Sequence, residues 1–143
     1  MSNVRLIQDL YAAFGRGDVP MVLAGFDPKI EWREAENNPY QPSGKPWIGP
    51  DAVLQNLFMR LGTEWNAFSV HPRTFHDAGD TVIVEARYSG TFKPTGRPLD
   101  AQVCHVWKLA NGKIKSFQQY VDTAHLQRVM GTVESAATTR AKS

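Results

Sequence analysis

Two polar residues in this chain fall where apolar ones are expected, and each has an indole for a neighbour. Alternation along Lys29 to Glu34 puts Ile30, Trp32 and Glu34 on one strand face, so a carboxyl group is expected on the inner side. Leu99 to Leu109 alternates in the same way and brings Val103, His105, Trp107 and Leu109 together. With Val84, Tyr88 and Phe117 as further walls, a carboxylate at Glu34 loses hydration, and its pKa climbs from a reference of about 4.3 toward values useful in proton transfer. His105 then donates to a carbonyl or enolate oxygen, or orients Glu34. The chemistry within reach is abstraction of a proton next to a carbonyl, with isomerisation, cyclisation or dehydration decided by the substrate. A structural reading stands beside it: an internal ion pair of Glu34 with His105, or a hydrogen bond from His105 to Gln119 or Gln102.

Other chemistries find less support. Cys104 is the single cysteine, and strand parity points it away from His105, which argues against a Cys-His nucleophile. His71, His76, His105 and His125 fall on separate elements without ligand spacing, and Gly15 and Gly17 match no phosphate-binding fingerprint. Neither a metal nor a cofactor is therefore expected. A net charge of +2 over 143 residues, with no basic run interleaved with aromatics, argues against nucleic acid. No stretch approaches the apolar length of a membrane span and Met1 to Arg5 lacks the apolar run of a signal peptide, so a cytoplasmic protein is expected.

The elements that must position Glu34 and His105 follow from periodicity and punctuation. Val4, Ile7, Leu10, Tyr11 and Phe14 give Asn3 to Phe14 a helical stripe, ended by Gly15 and Gly17. Asp18 caps a second helix with Pro20 in its first turn, and Gly49-Pro50-Asp51 opens a third, with Val53, Leu54, Leu57, Phe58 and Leu61 as its buried side. Ala35 to Gly49 carries three prolines, two asparagines and two glycines and reads as a long loop, which Tyr40 and Trp47 either pin onto its own core or close over a ligand. Strands are expected over Asn66 to Phe75 and Thr81 to Thr91, and a hairpin turns at Ala110-Asn111-Gly112. Asp122-Thr123 begins a last helix that runs through Met130. The prediction is one α+β domain over residues 1–131, three N-terminal helices on a curved mixed or antiparallel sheet, forming a cone-shaped barrel around a pocket. Residues 132–143, small and polar, are expected to be disordered. The outer sheet face mixes Ile83, Glu85, Arg87 and Ser89 with Cys104, Val106, Gln118 and Tyr120, as suits solvent or a second subunit.

Five runs carry a resemblance over about the first 130 residues: Gly17-Asp18, Phe26-Asp27-Pro28-Lys29-Ile30-Glu31-Trp32, Gly49-Pro50-Asp51-Ala52-Val53, Asn111-Gly112-Lys113-Ile114, and Phe117-Gln118-Gln119-Tyr120-Val121-Asp122-Thr123. Together they resemble the nuclear-transport-factor-2-like superfamily, in its branch of ketosteroid isomerases and SnoaL-like polyketide cyclases. The resemblance implies the conical α+β fold and a homodimer through the outer sheet face. It also implies a carboxylate base at Glu34. The isomerases' oxyanion-binding tyrosine corresponds to Leu10, with Tyr11 turned about 100° away around the helix, and their protonated aspartic acid corresponds to His105. The isomerase oxyanion hole is thus not carried over. The cyclases are similar in having a histidine at the place of His105, while the acid that faces it corresponds to Gln119. Asp122 is the nearest carboxylate and is read either as a cap for the last helix or as an acid.

The expected function is cofactor-independent acid/base chemistry of isomerase or cyclase type on a small apolar molecule. Glu34, His105 and Asp122 are the catalytic candidates. Tyr11, Phe14, Trp32, Tyr40, Trp47, Phe58, Val84, Tyr88, Trp107, Phe117 and Gln119 are the candidates for binding. The alternative is a dimer of the same fold that binds a hydrophobic ligand or a protein without turnover.

Overall fold

The computed structural model describes residues 2–133. The disordered tail expected over 132–143 lies outside the described residues except for Thr132 and Val133, and Thr132 is tied by its backbone N–H to Gln127 O at 3.0 Å.

Helix α1 spans Asn3–Gly15, capped by the Ser2 hydroxyl, which accepts from the Arg5 amide at 3.1 Å. Gly17, at φ +77°, turns the chain into α2, Val19–Ala24, where the Asp18 carboxylate accepts from the Met21 amide and Pro20 occupies the first turn. Strand β1 is Phe26–Arg33, and the two-residue β2, Trp47–Ile48, pairs antiparallel with it, Trp32 opposite Trp47. The third helical stretch is interrupted where a single helix is expected from sequence. Pro50–Val53 forms α3, Leu54–Phe58 widens into a π-helical turn, and Met59–Glu64 resumes as α4. Such a bulge rotates the residues that follow it relative to those before it, and here both Leu57 and Leu61 reach the cavity.

Four long strands follow: β3 Trp65–Ala78, β4 Thr81–Phe92, β5 Arg97–Ala110 and β6 Lys113–Val121, before α5 at Thr123–Met130. β3 to β6 form an antiparallel meander, and β1 adds to β6 in parallel, giving a mixed sheet in the order β2-β1-β6-β5-β4-β3. Asn111 and Gly112 take φ values of 53° and 74°, as a tight primed hairpin turn between β5 and β6 requires. The sheet is curved and does not close, so the helices complete the cone.

At Gly90 the backbone is glycine-dependent. Its φ is +149°, and a Cβ would lie 3.0 Å from Phe68 Cα, where β3 bulges between Asn66 and Ser69. The core falls into two clusters on the concave side of the sheet. One gathers Ile7, Ile30, Trp32, Trp107, Ile114 and Phe117 under the N-terminal helices, and the other gathers Trp65, Phe92, Leu99 and Val129 toward α5. Trp32 stacks on Phe117 with ring centroids 3.8 Å apart, worth about 0.5–1.5 kcal/mol beyond area burial. Where the two clusters meet, the interior is not filled.

Candidate active site

The unfilled space is a cavity of ≈ 70 Å³. Alternation on β1 aims Glu34 into it from just beyond the strand end, and alternation on β5 and β6 aims His105 and Gln119 into it as directly opposed partners. Tyr88 on β4 lies on the same inner face. From the helical side come Tyr11 and Phe14 of α1 and Phe58 of the π-helical turn, and the walls include Trp32, Tyr40, Trp107 and Phe117. Two of the expected wall residues lie elsewhere. Val84 is wholly enclosed in the core, and Trp47 packs against that core from β2 because its strand pairing with Trp32 holds it beside β1.

Glu34 is only 6% exposed. One of its oxygens, Oε2, accepts from Trp32 Nε1 at 3.3 Å, and the other carries no hydrogen bond to the described residues. No cationic side chain among the described residues lines the cavity. Burial without a counter-charge pushes the Glu34 pKa up to about 8, against which the Trp32 N–H works only weakly. The group is therefore mostly a carboxylic acid at neutral pH and a carboxylate above about pH 8.

His105 is 4% exposed, and both of its ring nitrogens are taken by phenols: Tyr11 Oη lies 2.6 Å from Nδ1 and Tyr88 Oη 2.6 Å from Nε2. This corrects the pairings expected from sequence, since His105 bonds neither Glu34 nor Gln119 nor Gln102. Burial lowers its pKa to about 3, so the ring is neutral. Burial likewise pushes both phenols well above their ordinary value. Tyr11 meets His105 although its neighbour Leu10 occupies the position expected to face the site, because the docking of α1 on the sheet, and not helix periodicity, selects the direction that counts. Trp107 Nε1 donates to Tyr11 Oη at 2.9 Å, and Gln119 Nε2 donates to Tyr88 Oη at 3.0 Å. A continuous polar chain thus crosses an aromatic cavity, and each nitrogen and oxygen along it from Trp107 to Gln119 has a partner.

The long segment after β1 closes over this chain. Asn38, fully buried, donates to Gln119 Oε1 at 2.8 Å, and the Ala35 amide donates to the same oxygen at 3.1 Å. Gln41 accepts from the Glu34 amide at 3.0 Å and donates to Trp32 O at 3.1 Å. Tyr40 donates to Glu64 Oε1 at 2.8 Å and accepts from Trp65 Nε1 at 2.9 Å, with the Arg60 guanidinium 4.4 Å above its ring. Asn38, Gln41 and Trp65 were not anticipated as site residues. Asn38 before Pro39 and Gln41 before Pro42 read as ordinary turn residues, and only the tertiary closure buries them.

Asp122 does not join the site. It is exposed just after β6, where its carboxylate accepts from the His125 amide at 3.1 Å as the N-cap of α5, and it does not line the cavity. On the convex face His76 pairs with Glu85 at 2.6 Å and Arg87 with Asp100 at 2.9 Å, around an exposed Tyr120.

The model of the SnoaL-like domain family matches residues 7–117. Among solved structures, an NTF2-like protein from Burkholderia thailandensis is 37% identical, with a TM-score of 0.85 over 91% of this chain and 98% of that one. An NTF2-like protein of unknown function from Burkholderia pseudomallei is 27% identical, with a TM-score of 0.81 over 91% and 98%. TerC, co-crystallised with polyporic acid, is 22% identical, with a TM-score of 0.78 over 90% and 98%, and shares the fold. No curated protein matches the chain. No helix among the described residues is long and apolar enough to cross a membrane.

Proposed function

The chain belongs to the SnoaL-like family, and from that premise we propose that it is a cofactor-independent enzyme of isomerase or cyclase type. In this reading Glu34 removes a proton next to the carbonyl of a small apolar molecule held in the cone. The observation that carries the proposal is the solitary carboxyl group of Glu34 in an aromatic cavity, with one oxygen left to the cavity and no cation to neutralise it. A base with a pKa of about 8 is strong enough to compete for a carbon-bound proton activated by a carbonyl. The oxyanion that forms is met by a neutral phenol donor inside the aromatic cone. The co-crystallisation of TerC with polyporic acid supports a small organic molecule as ligand. A volume of ≈ 70 Å³, about half the ~150 Å³ that accommodates benzene in an apolar cavity, favours a small ligand or one that displaces wall side chains on entry.

The second reading, binding without turnover, draws on the self-contained hydrogen bonding of the polar chain, which needs no ligand to satisfy it. In both readings a homodimer would cover the convex face around Tyr120, which is 58% exposed. A cytoplasmic setting fits the lone cysteine, Cys104.

Solvent deuterium exchange into small ketones and enones, followed by proton NMR, distinguishes the readings. Exchange is expected above the buffer rate in wild type, rising with pH to a plateau above about pH 8 as the Glu34 carboxylate forms, and absent in Glu34→Gln. A Glu34→Gln protein that exchanges as fast as wild type would remove Glu34 as the base.

A further inference from the structure

We propose that Tyr88 supplies the hydroxyl that donates to the oxygen of a bound ligand, and that His105 is a neutral positioning residue held as its Nε2–H tautomer by Tyr11. The proposal rests on the reading of the cone as a carbonyl-binding site, and it assigns a direction to each bond of the polar chain.

The directions follow from counting hydrogens. Trp107 Nε1 can only donate, so Tyr11 Oη accepts at that contact. The Ala35 backbone amide can only donate, which identifies the end of Gln119 beside it as the oxygen and turns the side-chain nitrogen toward Tyr88. Tyr88 Oη therefore accepts from Gln119. A neutral imidazole has one N–H and one bare nitrogen, and each faces a phenol at 2.6 Å.

Only two arrangements remain. With the proton on Nδ1, the ring donates to Tyr11, whose oxygen then accepts twice. Its own hydrogen is left with no acceptor among the described residues, because the only polar atoms at Tyr11 Oη are Trp107 Nε1 and that same Nδ1. With the proton on Nε2, Tyr11 donates to Nδ1 and is satisfied, while Tyr88 accepts from both His105 and Gln119. The spare hydrogen then belongs to Tyr88. Both phenols line the cavity, but Tyr88 is bonded to Gln119, whose oxygen takes the amide of Ala35 next to Glu34, and the charge of Glu34 opposes ionisation of Tyr88. Each arrangement leaves one phenol hydrogen without an acceptor among the described residues. The first leaves it on Tyr11 against Trp107, whereas the second leaves it on Tyr88, at the Glu34 end of the chain, where a carboxyl oxygen without a hydrogen bond shares the cavity. The second arrangement is therefore preferred. It also fills both acceptor sites of Tyr88 with protein N–H groups, which leaves that oxygen nothing to do for a ligand except donate.

Proton transfer along the chain is not part of the proposal. Burial holds both phenols protonated, so the end of the chain polarises a ligand oxygen and keeps its hydrogen. Ring labelling of His105 with 15N tests the tautomer in the free protein. A pyrrole-type Nε2 with a pyridine-type Nδ1 is expected, and the reverse pattern overturns the proposal. The donor is tested with acetone labelled with 13C at its carbonyl. A downfield displacement of that carbon on binding is expected in wild type, diminished in Tyr11→Phe and lost in Tyr88→Phe. A displacement that survives Tyr88→Phe overturns the donor role. Should Tyr88→Phe fail to fold, the wild-type tautomer still decides, since Nδ1–H ties up the Tyr88 hydrogen. Acetone that perturbs no cavity resonance overturns the carbonyl-site reading and the donor role resting on it. An Nε2–H His105 in the same sample then places the fault in the ligand class and not in the hydrogen-bond chain.

Discussion

Replacing Glu34 by glutamine removes one buried proton-binding group while keeping its volume and an oxygen to accept from Trp32 Nε1. In wild type the folded carboxyl keeps its proton up to about pH 8, whereas in the unfolded chain it is lost near 4.5. Between those values the folded state binds more protons, so stability falls as pH rises. At ~1.4 kcal/mol per pH unit, the full effect is on the order of 4–5 kcal/mol. His105 acts in the opposite sense, because its pKa is about 3 in the folded protein and 6.5 ordinarily, so its contribution is present above pH 6.5 and lost as pH falls. The two slopes cancel between about pH 4.5 and 6.5, and wild type is expected to lose about 2 kcal/mol from pH 6.5 to 8. Urea unfolding of both proteins from pH 4 to 9 gives the difference directly, with groups common to both subtracted out. That difference should climb in favour of Glu34→Gln from pH 4.5 and level off above pH 8. Parallel curves for the two proteins would refute the claim that Glu34 is buried as an acid without a counter-charge.

Three further perturbations probe the frame around this group. His105→Ala leaves Tyr11 and Tyr88 each short of a partner and opens a void, and a loss of about 3–5 kcal/mol is expected in urea unfolding. Tyr40→Phe deletes the donor to Glu64 and the acceptor for Trp65, with an expected loss of about 1–2 kcal/mol. Amide exchange at Asn38 and Gln41 should quicken selectively in that variant. Asp122→Ala removes the cap of α5 and should cost about 1 kcal/mol, with the 15N resonances of His105 left in place.

The local elements were legible because their signals are local. A period of two fixes which residues share a strand face, so Trp32 with Glu34 and His105 with Trp107 could be assigned to the inner side without any partner strand. Caps at Asp18 and Asp122 and the turn at Asn111-Gly112 depend on a few neighbouring residues and stand where the pattern puts them. The π-helical widening at Leu54–Phe58 carries no such signal, since the apolar stripe from Val53 to Leu61 is compatible with an unbroken helix.

Composition and periodicity thus determined that a carboxyl and an imidazole would be buried in an aromatic interior of an α+β domain. Only the tertiary structure decided what each would touch. The partners of His105 come from α1, 94 residues away, and from β4, and which phenol reaches which nitrogen depends on how the helix is seated across the sheet. The burial of Asn38 likewise arises only when the segment after β1 folds back onto Gln119, 81 residues later. A side chain's own sequence neighbours set the face it occupies, whereas the groups that satisfy it inside the core are chosen by the packing of distant elements.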